Sequence, residues 1–449
     1  MNRTRRTGRT SRTGPRARTV PRARTSRTGP RARRTTAAVA ALAVLALLGS
    51  GCSTKSGESS GSTDDKGVKT GPGVTDKIVK LGALTDLSGP YATLGKSIVQ
   101  AQKMWAEEFN KAGGVCGRDV EIVVKDHGYD VQKAVSAYTQ LSPDIVAVPQ
   151  VIGSPMVAAL LDEVERDKIL TFPQAWSASL LGNEAVQVLG TTYDIDMMSA
   201  VDFLKRRQGL GKGDKIGHVY FEGDYGSNAL EGSRHAAREA GATVVPKKIK
   251  ATDTDMSSQV TALRSAKVKA ILISAGPTQT ASLVGVAAAQ GLKVPVVSSA
   301  PGYAPQLLKT PAAKALEKML YIVSAAPPVS SKLPAVKKMV AAYEKKFPGE
   351  LVDSGVLSGY NAAVLMGQDL QQACEAKDLT RQGVVDAHRS RNAGDTGLGT
   401  PQDFSDENRP ASYADYIMRP SSKHVGGVVL VEDAHEVPGA RQFVEDGGE

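Results

Sequence analysis

Short apolar segments alternate with amphipathic ones from residue 78 to about residue 350, and this pattern constrains the fold more than any other feature of the chain. Runs rich in β-branched and apolar residues recur at 78–84, 120–124, 144–148, 169–172, 215–221, 242–245, 270–273, 294–297 and 320–323. Helical patterns fill the intervals at 131–141, 155–165, 195–207, 228–240, 256–266 and 280–290, with another at 334–347. The first interval is typical: Ile98, Ala101, Trp105, Phe109 and Ala112 recur at spacings of three and four, which places them on one face of a helix. Strands that alternate with helices predict an α/β fold with parallel sheets covered on both faces. Such sheets bind ligands beyond the carboxyl ends of their strands. A helix over 354–376, another over 379–391 and a glycine-rich, β-like tail end the alternation.

The chain carries a formal net charge of +10, but the sign comes from its start. Thirteen of the 56 basic residues are arginines within residues 1–34, a stretch without acids, and the rest number fewer than the 46 acids. The charge therefore gives no argument for nucleic acid as a partner. Residues 37–48 are an unbroken apolar run, shorter than the ~20 residues a membrane-spanning helix needs. A basic stretch followed by such a run predicts an export signal, with the Sec route favoured over the twin-arginine route. The run ends in Leu-Leu-Gly-Ser-Gly-Cys, similar to a bacterial lipobox, although Gly49 stands where a leucine is usual. Cys52 is thus the expected lipidation site, anchoring an extracytoplasmic domain to the cell membrane. The Ser/Gly-rich segment after it reads as a flexible tether.

The loop after the first apolar run, Gly89-Pro-Tyr-Ala-Thr-Leu-Gly-Lys-Ser97, invites comparison with a phosphate-binding loop. Such a loop needs four residues between its glycines, and here there are five. Pro90 also contributes no N–H, so the backbone donors cannot converge on one phosphate. From residue 78 on there is no C-x-x-C, H-E-x-x-H or G-x-S-x-G pattern. Asp126, His127 and Asp130 could be drawn as a metal cluster, but a strand-end turn and a helix cap explain them better. The residues therefore point to no catalytic set, metal or cofactor.

The segments KLGALTDLSGPYATLGKS, AEEFNKAGGVCGRDVEIVVKDHGYD and FEGDYGSNALEG together resemble the type I periplasmic binding proteins of the leucine/isoleucine/valine-binding group. The resemblance runs over nearly all of 79 to about 430. It implies two Rossmann-like lobes with parallel-sheet cores, joined by three crossovers near 190–193, 324–327 and 409–414. The chain would then divide into a leader and signal (1–51), a tether (52–77), lobe 1 (78–190 with 327–410) and lobe 2 (191–326 with 411–449). Cys116 and the helix carrying Cys374 would share lobe 1, which favours a disulfide between them over two separate thiols and leaves both open.

The implied function is that of a receptor, not an enzyme. It would close on a small molecule and pass it to an ABC permease importing branched-chain amino acids or related amides and carboxylates. The alternative is a sensory subunit using the same fold. Carried over residue by residue, Ser154 and Ser177 take the hydroxyl positions that hold a ligand carboxylate. The Ala175 carbonyl would accept from a ligand amine, and Tyr225 keeps the tyrosine of the second lobe. Leu94 and Met256 replace aromatic walls, and Trp176 adds a ring beside Ser177. Gln279 falls where amino-acid-binding members place the acid that pairs with the ligand ammonium. An unpaired buried ammonium costs several kcal/mol. An amide, a urea-like compound, a carboxylate without the amine or an aromatic acid therefore competes on equal terms with an α-amino acid.

Overall fold

The computed structural model describes residues 62–448. Cys52 lies outside the described residues. The chain first forms a small hairpin of β1 (Ser62–Thr63) and β2 (Lys69–Thr70). Asp64 shapes its turn by accepting from the backbone N–H groups of Lys66 at 2.9 Å and Val68 at 2.8 Å. The same carboxylate forms a buried ion pair with Arg118, whose Nε donates to the Thr75 carbonyl at 2.7 Å. Residues 62–77, expected to belong to a flexible tether, are therefore fixed against the first lobe. The composition that suggested a linker hid one buried valine, Val68, and one buried ion pair.

The first lobe continues through β3 (Ile78–Thr85), α1 (Ala92–Lys111), β4 (Asp119–Asp126), α2 (Val131–Leu141) and β5 (Ala147–Val151). Two short helices follow, α3 (Ser154–Ala158) and α4 (Leu161–Asp167), where periodicity predicts one. They are separated at Leu160, whose φ of −109° leaves the helical range. β6 (Leu170–Thr171) completes a parallel sheet in the order β4-β3-β5-β6. β3 lies inside this sheet, which is why its sequence is apolar almost throughout instead of alternating.

The second lobe begins with α5 (Tyr193–Gln208) and runs through β7 (Lys215–Phe221), α6 (Asp224–Glu239), β8 (Thr243–Ile249), α7 (Ser257–Ser265) and β9 (Ala270–Ser274). It continues with α8 (Pro277–Ala289), β10 (Val296–Ser299), α9 (Ala313–Met319) and β11 (Leu320–Ser324). The chain then returns to the first lobe with α10 (Pro334–Lys346), α11 (Ser354–Glu375), β12 (Asp378–Leu379), α12 (Arg381–Arg389), β13 (Ala393–Gly394) and β14 (Gln402–Asp403). β12 pairs in parallel with β2, so the first hairpin becomes part of a three-stranded sheet on this lobe. A third crossing leads to β15 (Ala414–Pro420), β16 (Val428–Glu436) and α13 (Ala440–Glu445). The second sheet has the order β16-β15-β11-β10-β9-β7-β8. It is parallel except for β15 and β16, the β-like tail, which add an antiparallel edge. The fold is thus two α/β lobes joined by three crossings.

α1 and α11 form the helical layer beside the cleft, and they are tied at both ends. Asp353 caps α11 by accepting from the N–H groups of Gly355 and Val356 at 3.0 and 3.3 Å, and it also accepts from Ser97 Oγ of α1 at 2.6 Å. At the far end a disulfide joins Cys116 to Cys374, with Cα atoms 5.8 Å apart. Between these ties Gly359 lets the helices touch: a Cβ there would come within 2.8 Å of the Ile98 carbonyl oxygen.

Candidate ligand-binding site

The loops at the carboxyl ends of the strands face one another across the crossings and enclose a cleft. Its empty space, counted out to the open mouth, is about 1210 Å³. The β3–α1 loop is shaped by Asp86, whose carboxylate accepts from the N–H groups of Gly89 at 2.5 Å and Tyr91 at 2.9 Å. This turn directs Tyr91 and Leu94 into the cleft. Gly95 is required behind them, because a Cβ there would lie 1.9 Å from the Asp86 carbonyl oxygen. β5 delivers Ile152 and Ser154, and the segment after β6 delivers Gln174 and Trp176. Trp176 is held in place by its Nε1–H, which donates to the Leu189 carbonyl at 2.7 Å. The second lobe contributes Tyr193, Tyr225 and Ala300.

Tyrosine rings dominate the middle of the cleft. Tyr91 packs on Tyr129 at 5.1 Å between centroids, and Tyr193 on Tyr225 at 4.3 Å. Burial raises the pKa of all four phenols, so each remains a neutral hydrogen-bond donor. Tyr225 is partnered by Ser299 Oγ at 2.6 Å. Tyr91 Oη, Ser154 Oγ and Gln174 Oε1 are buried without a hydrogen-bond partner. Orphaned polar atoms are costly, and three on one cavity wall mark where a polar part of a ligand would dock.

Among the described residues lining the cleft, Asp196 is the one carboxyl. Thr191 Oγ1 lies 2.7 Å from Asp196 Oδ1 and 2.9 Å from Asp415 Oδ1. A hydroxyl has one proton to donate, so the second short contact requires a proton on one of the carboxyls. Burial raises the pKa of both, and each further raises the cost of ionising the other. At and below neutral pH the pair therefore carries at most one negative charge.

The expected ligand residues fall into two groups. Leu94, Ser154, Trp176 and Tyr225 line the cleft. Ala175, Ser177, Met256 and Gln279 are buried but are not on its wall. Ser177 Oγ accepts from Ser179 Oγ at 3.2 Å, in a segment that bridges the lobes. There Ser179 Oγ contacts both carboxylate oxygens of Asp224, at 2.9 and 3.0 Å, and Ala178 N–H donates to Asn228 Oδ1 at 3.2 Å. Met256 packs in the second-lobe core, with its N–H donating to Ser282 Oγ at 3.1 Å. Gln279 turns its amide to the loop after β8, donating to the carbonyls of Ala251 at 3.0 Å and Asp253 at 2.9 Å. Its amide nitrogen is thereby occupied by backbone, while Oε1 is buried without a partner. Thr191 and Asp196 lie close in sequence at the first crossing, and Gln402 reaches them from the far end of the chain by accepting from the Gly190 N–H at 2.6 Å; no local motif announces them. Tyr91 was visible as the aromatic residue of Ser-Gly-Pro-Tyr.

Asp126, Asp130 and His127 serve local structure. Asp126 accepts from the Leu87 N–H at 2.9 Å, and Asp130 caps α2 through the Lys133 N–H at 2.9 Å. His127 Nδ1 accepts from the Tyr129 N–H at 3.0 Å. Among the described residues no cluster of three or more His, Cys, Asp or Glu could hold a metal ion, and no helix is long and apolar enough to cross a membrane.

Two α/β lobes, three crossings and an enclosed cleft between strand ends define a bilobal solute-binding protein. The chain belongs to the periplasmic binding protein family, whose model matches residues 78–424. This places it with the leucine/isoleucine/valine-binding group of type I folds, a family whose location is extracytoplasmic. Among solved structures, a fatty acid ABC transporter substrate-binding protein from Thermomonospora curvata is 52% identical. That match has a TM-score of 0.84 and covers 85% of this chain and 98% of the other. A branched-chain amino acid ABC transporter protein from Thermus thermophilus with bound valine shares the fold at 18% identity, with a TM-score of 0.73 over 82% of this chain and 99% of the other. The Leu/Ile/Val-binding protein homolog 8 of Brucella abortus is 28% identical over 198 residues. That alignment takes in 41% of this chain and 49% of the relative, so the match spans about half of the relative's length.

Proposed function

We propose that the protein is the substrate-binding component of an ABC importer, and that its ligand is an apolar carboxylate of the fatty-acid class. The observation that carries this reading is the make-up of the cleft. Its wall is mostly hydrocarbon and aromatic ring, interrupted by neutral polar groups such as Gln174, Asn361, Thr400 and Gln402, with Tyr91 and Ser154 as unpaired donors and no free acid to receive an ammonium. A carboxylate accepts hydrogen bonds from phenol and hydroxyl groups, and such charge-assisted bonds are about twice as strong as neutral ones. An α-amino acid would bring an ammonium as well. Gln279 gives its amide N–H groups to backbone, and Asp196 is tied through the Thr191 hydroxyl to a second buried carboxyl, Asp415. The fatty acid named for the 52%-identical relative supports the same class.

Binding involves no covalent step. A ligand that touches Tyr91 and Ser154 on one lobe and Tyr225 on the other favours the closed arrangement of the lobes. The loaded receptor then docks on permease subunits. Acylation of Cys52 would keep it at the membrane surface. Titration calorimetry of delipidated protein with fatty acids and with leucine, isoleucine and valine tests the assignment. Fatty acids are expected to bind and the amino acids to give no heat. Binding of valine with no binding of any fatty acid would overturn it. Loss of membrane association in Cys52→Ala tests the anchor.

A further inference from the structure

A second, smaller space, about 420 Å³ when counted out into the open solvent at its mouth, lies beside the crossing that follows β11. It shares Ala300, Ser324, Ala326 and Ser354 with the wall of the main cleft. Every side chain at this shared boundary has at most two heavy atoms, so only small groups stand between the two adjoining spaces. Beyond the gap the wall is made largely of apolar groups, including Val329, Met418 and Val428. Two of its polar side chains are already engaged: Tyr303 Oη donates to the Gly427 carbonyl at 2.6 Å, and Ser324 Oγ accepts from the Ala326 N–H at 3.1 Å, while Ser354 at the boundary is exposed. The orphaned atoms Tyr91 Oη, Ser154 Oγ and Gln174 Oε1 belong to the main cleft alone.

We infer that this annex is a tail-binding compartment. An acyl ligand sits with its carboxylate at Tyr91 and Ser154 and passes its far methylenes between Ala326 and Ser354 into the annex. The inference rests on the fatty-acid reading and adds to it an orientation and a determinant of chain length. Each methylene transferred from water to such a wall raises affinity about fourfold when fully buried. A short acid fills the main cleft only, whereas a long one also gains the annex. Val329 and Val428 line the annex alone, so a bulkier residue at either would fill it without entering the main cleft.

The test is a chain-length series by titration calorimetry on delipidated protein, with octanoate and palmitate as probes, in the wild type and in Val329→Phe and Val428→Phe, two positions that line the annex and not the main cleft. Thermal unfolding reports whether each variant is folded. The inference expects the wild type to bind palmitate at least about tenfold more tightly than octanoate. The plugged variants should lose at least about tenfold for palmitate and stay within about twofold for octanoate. Equal affinity of the wild type for the two acids would overturn the annex and leave the fatty-acid reading standing. So would folded variants that lose both acids equally or neither. Wild type that binds neither acid would overturn both. If one variant fails to fold, the wild-type series and the other variant still decide.

Discussion

Thr191 and Asp415, which belong to the first and third crossings and are 224 residues apart in sequence, are joined by a hydrogen bond of 2.9 Å. Through Thr191 the contact extends to Asp196 on the cleft wall. The joint between the lobes is thus built on a pair of buried carboxyls that need a proton.

This pairing makes stability depend on pH in a definite direction. Burial pushes Asp415 up from 3.8 to about 7. A folded-state pKa above the unfolded one means that the folded chain binds the extra proton between those values. Asp415 is compatible with the fold below pH 4, and its destabilising effect grows until pH passes about 7. Asp415→Asn, which keeps an acceptor for Thr191, should remove this dependence and stabilise the protein by about 3 kcal/mol at pH 8, to order of magnitude. Urea unfolding of both proteins at pH 5 and pH 8 measures it. Parallel changes with pH in the two proteins would contradict the assignment.

Ligand binding should follow the same protons. A second negative charge at Asp196 would face the ligand carboxylate, so fatty-acid affinity should fall as pH rises from neutral to alkaline. Asp196→Asn should flatten that profile and leave affinity at pH 6 within about threefold. If Asp196 instead held a ligand ammonium, the same substitution would weaken binding by about a hundredfold or more. Calorimetry across pH separates the two outcomes.

The orphaned donors should matter to affinity and not to stability. Tyr91→Phe and Ser154→Ala each remove a hydroxyl that has no partner in the empty protein. Each should weaken carboxylate binding by about 1.5–3 kcal/mol, the worth of a hydrogen bond to a charged group, with melting temperature unchanged or slightly raised. A drop in melting temperature comparable to the loss of affinity would assign these groups to the fold instead.

The disulfide closes a sequence separation of 258 residues, which makes its loss costly to the fold. Cys116→Ser with Cys374→Ser should reduce unfolding free energy by about 2–5 kcal/mol. Neither cysteine lines the cleft, so ligand affinity of the folded variant should be unchanged. Chemical denaturation and calorimetry on the same preparation check both halves of the prediction.

The sheets were legible because their strands are buried on both faces. β9 is an apolar run that admits little else, and β10 begins with two valines before two buried serines. The antiparallel edge was harder: β16 is largely exposed, and its residues read only as a β-like tail. The cleft was legible where a loop follows its own strand, as at Leu94, Ser154, Trp176 and Tyr225. It was illegible where side-chain direction decides. Gln279 occupies the first turn of α8, yet two carbonyls of the loop after β8 claim its amide. That claim depends on a loop of another element, which position in sequence does not convey. The joint of Thr191, Asp196 and Asp415 was hidden for a related reason, since its members meet only after the third crossing has formed.

The hairpin at Ser62–Thr70 grips the first lobe alone, through β12 and through the Asp64–Arg118 ion pair. Any tension that reaches Ser62 from the amino-terminal side is therefore borne by one half of the clamp. The other half is tied to it by the three crossings and by the bonds of Ser179 and Ala178 to Asp224 and Asn228, so whatever holds this chain from its leading end sets the heading of the first lobe and reaches the second only through those links.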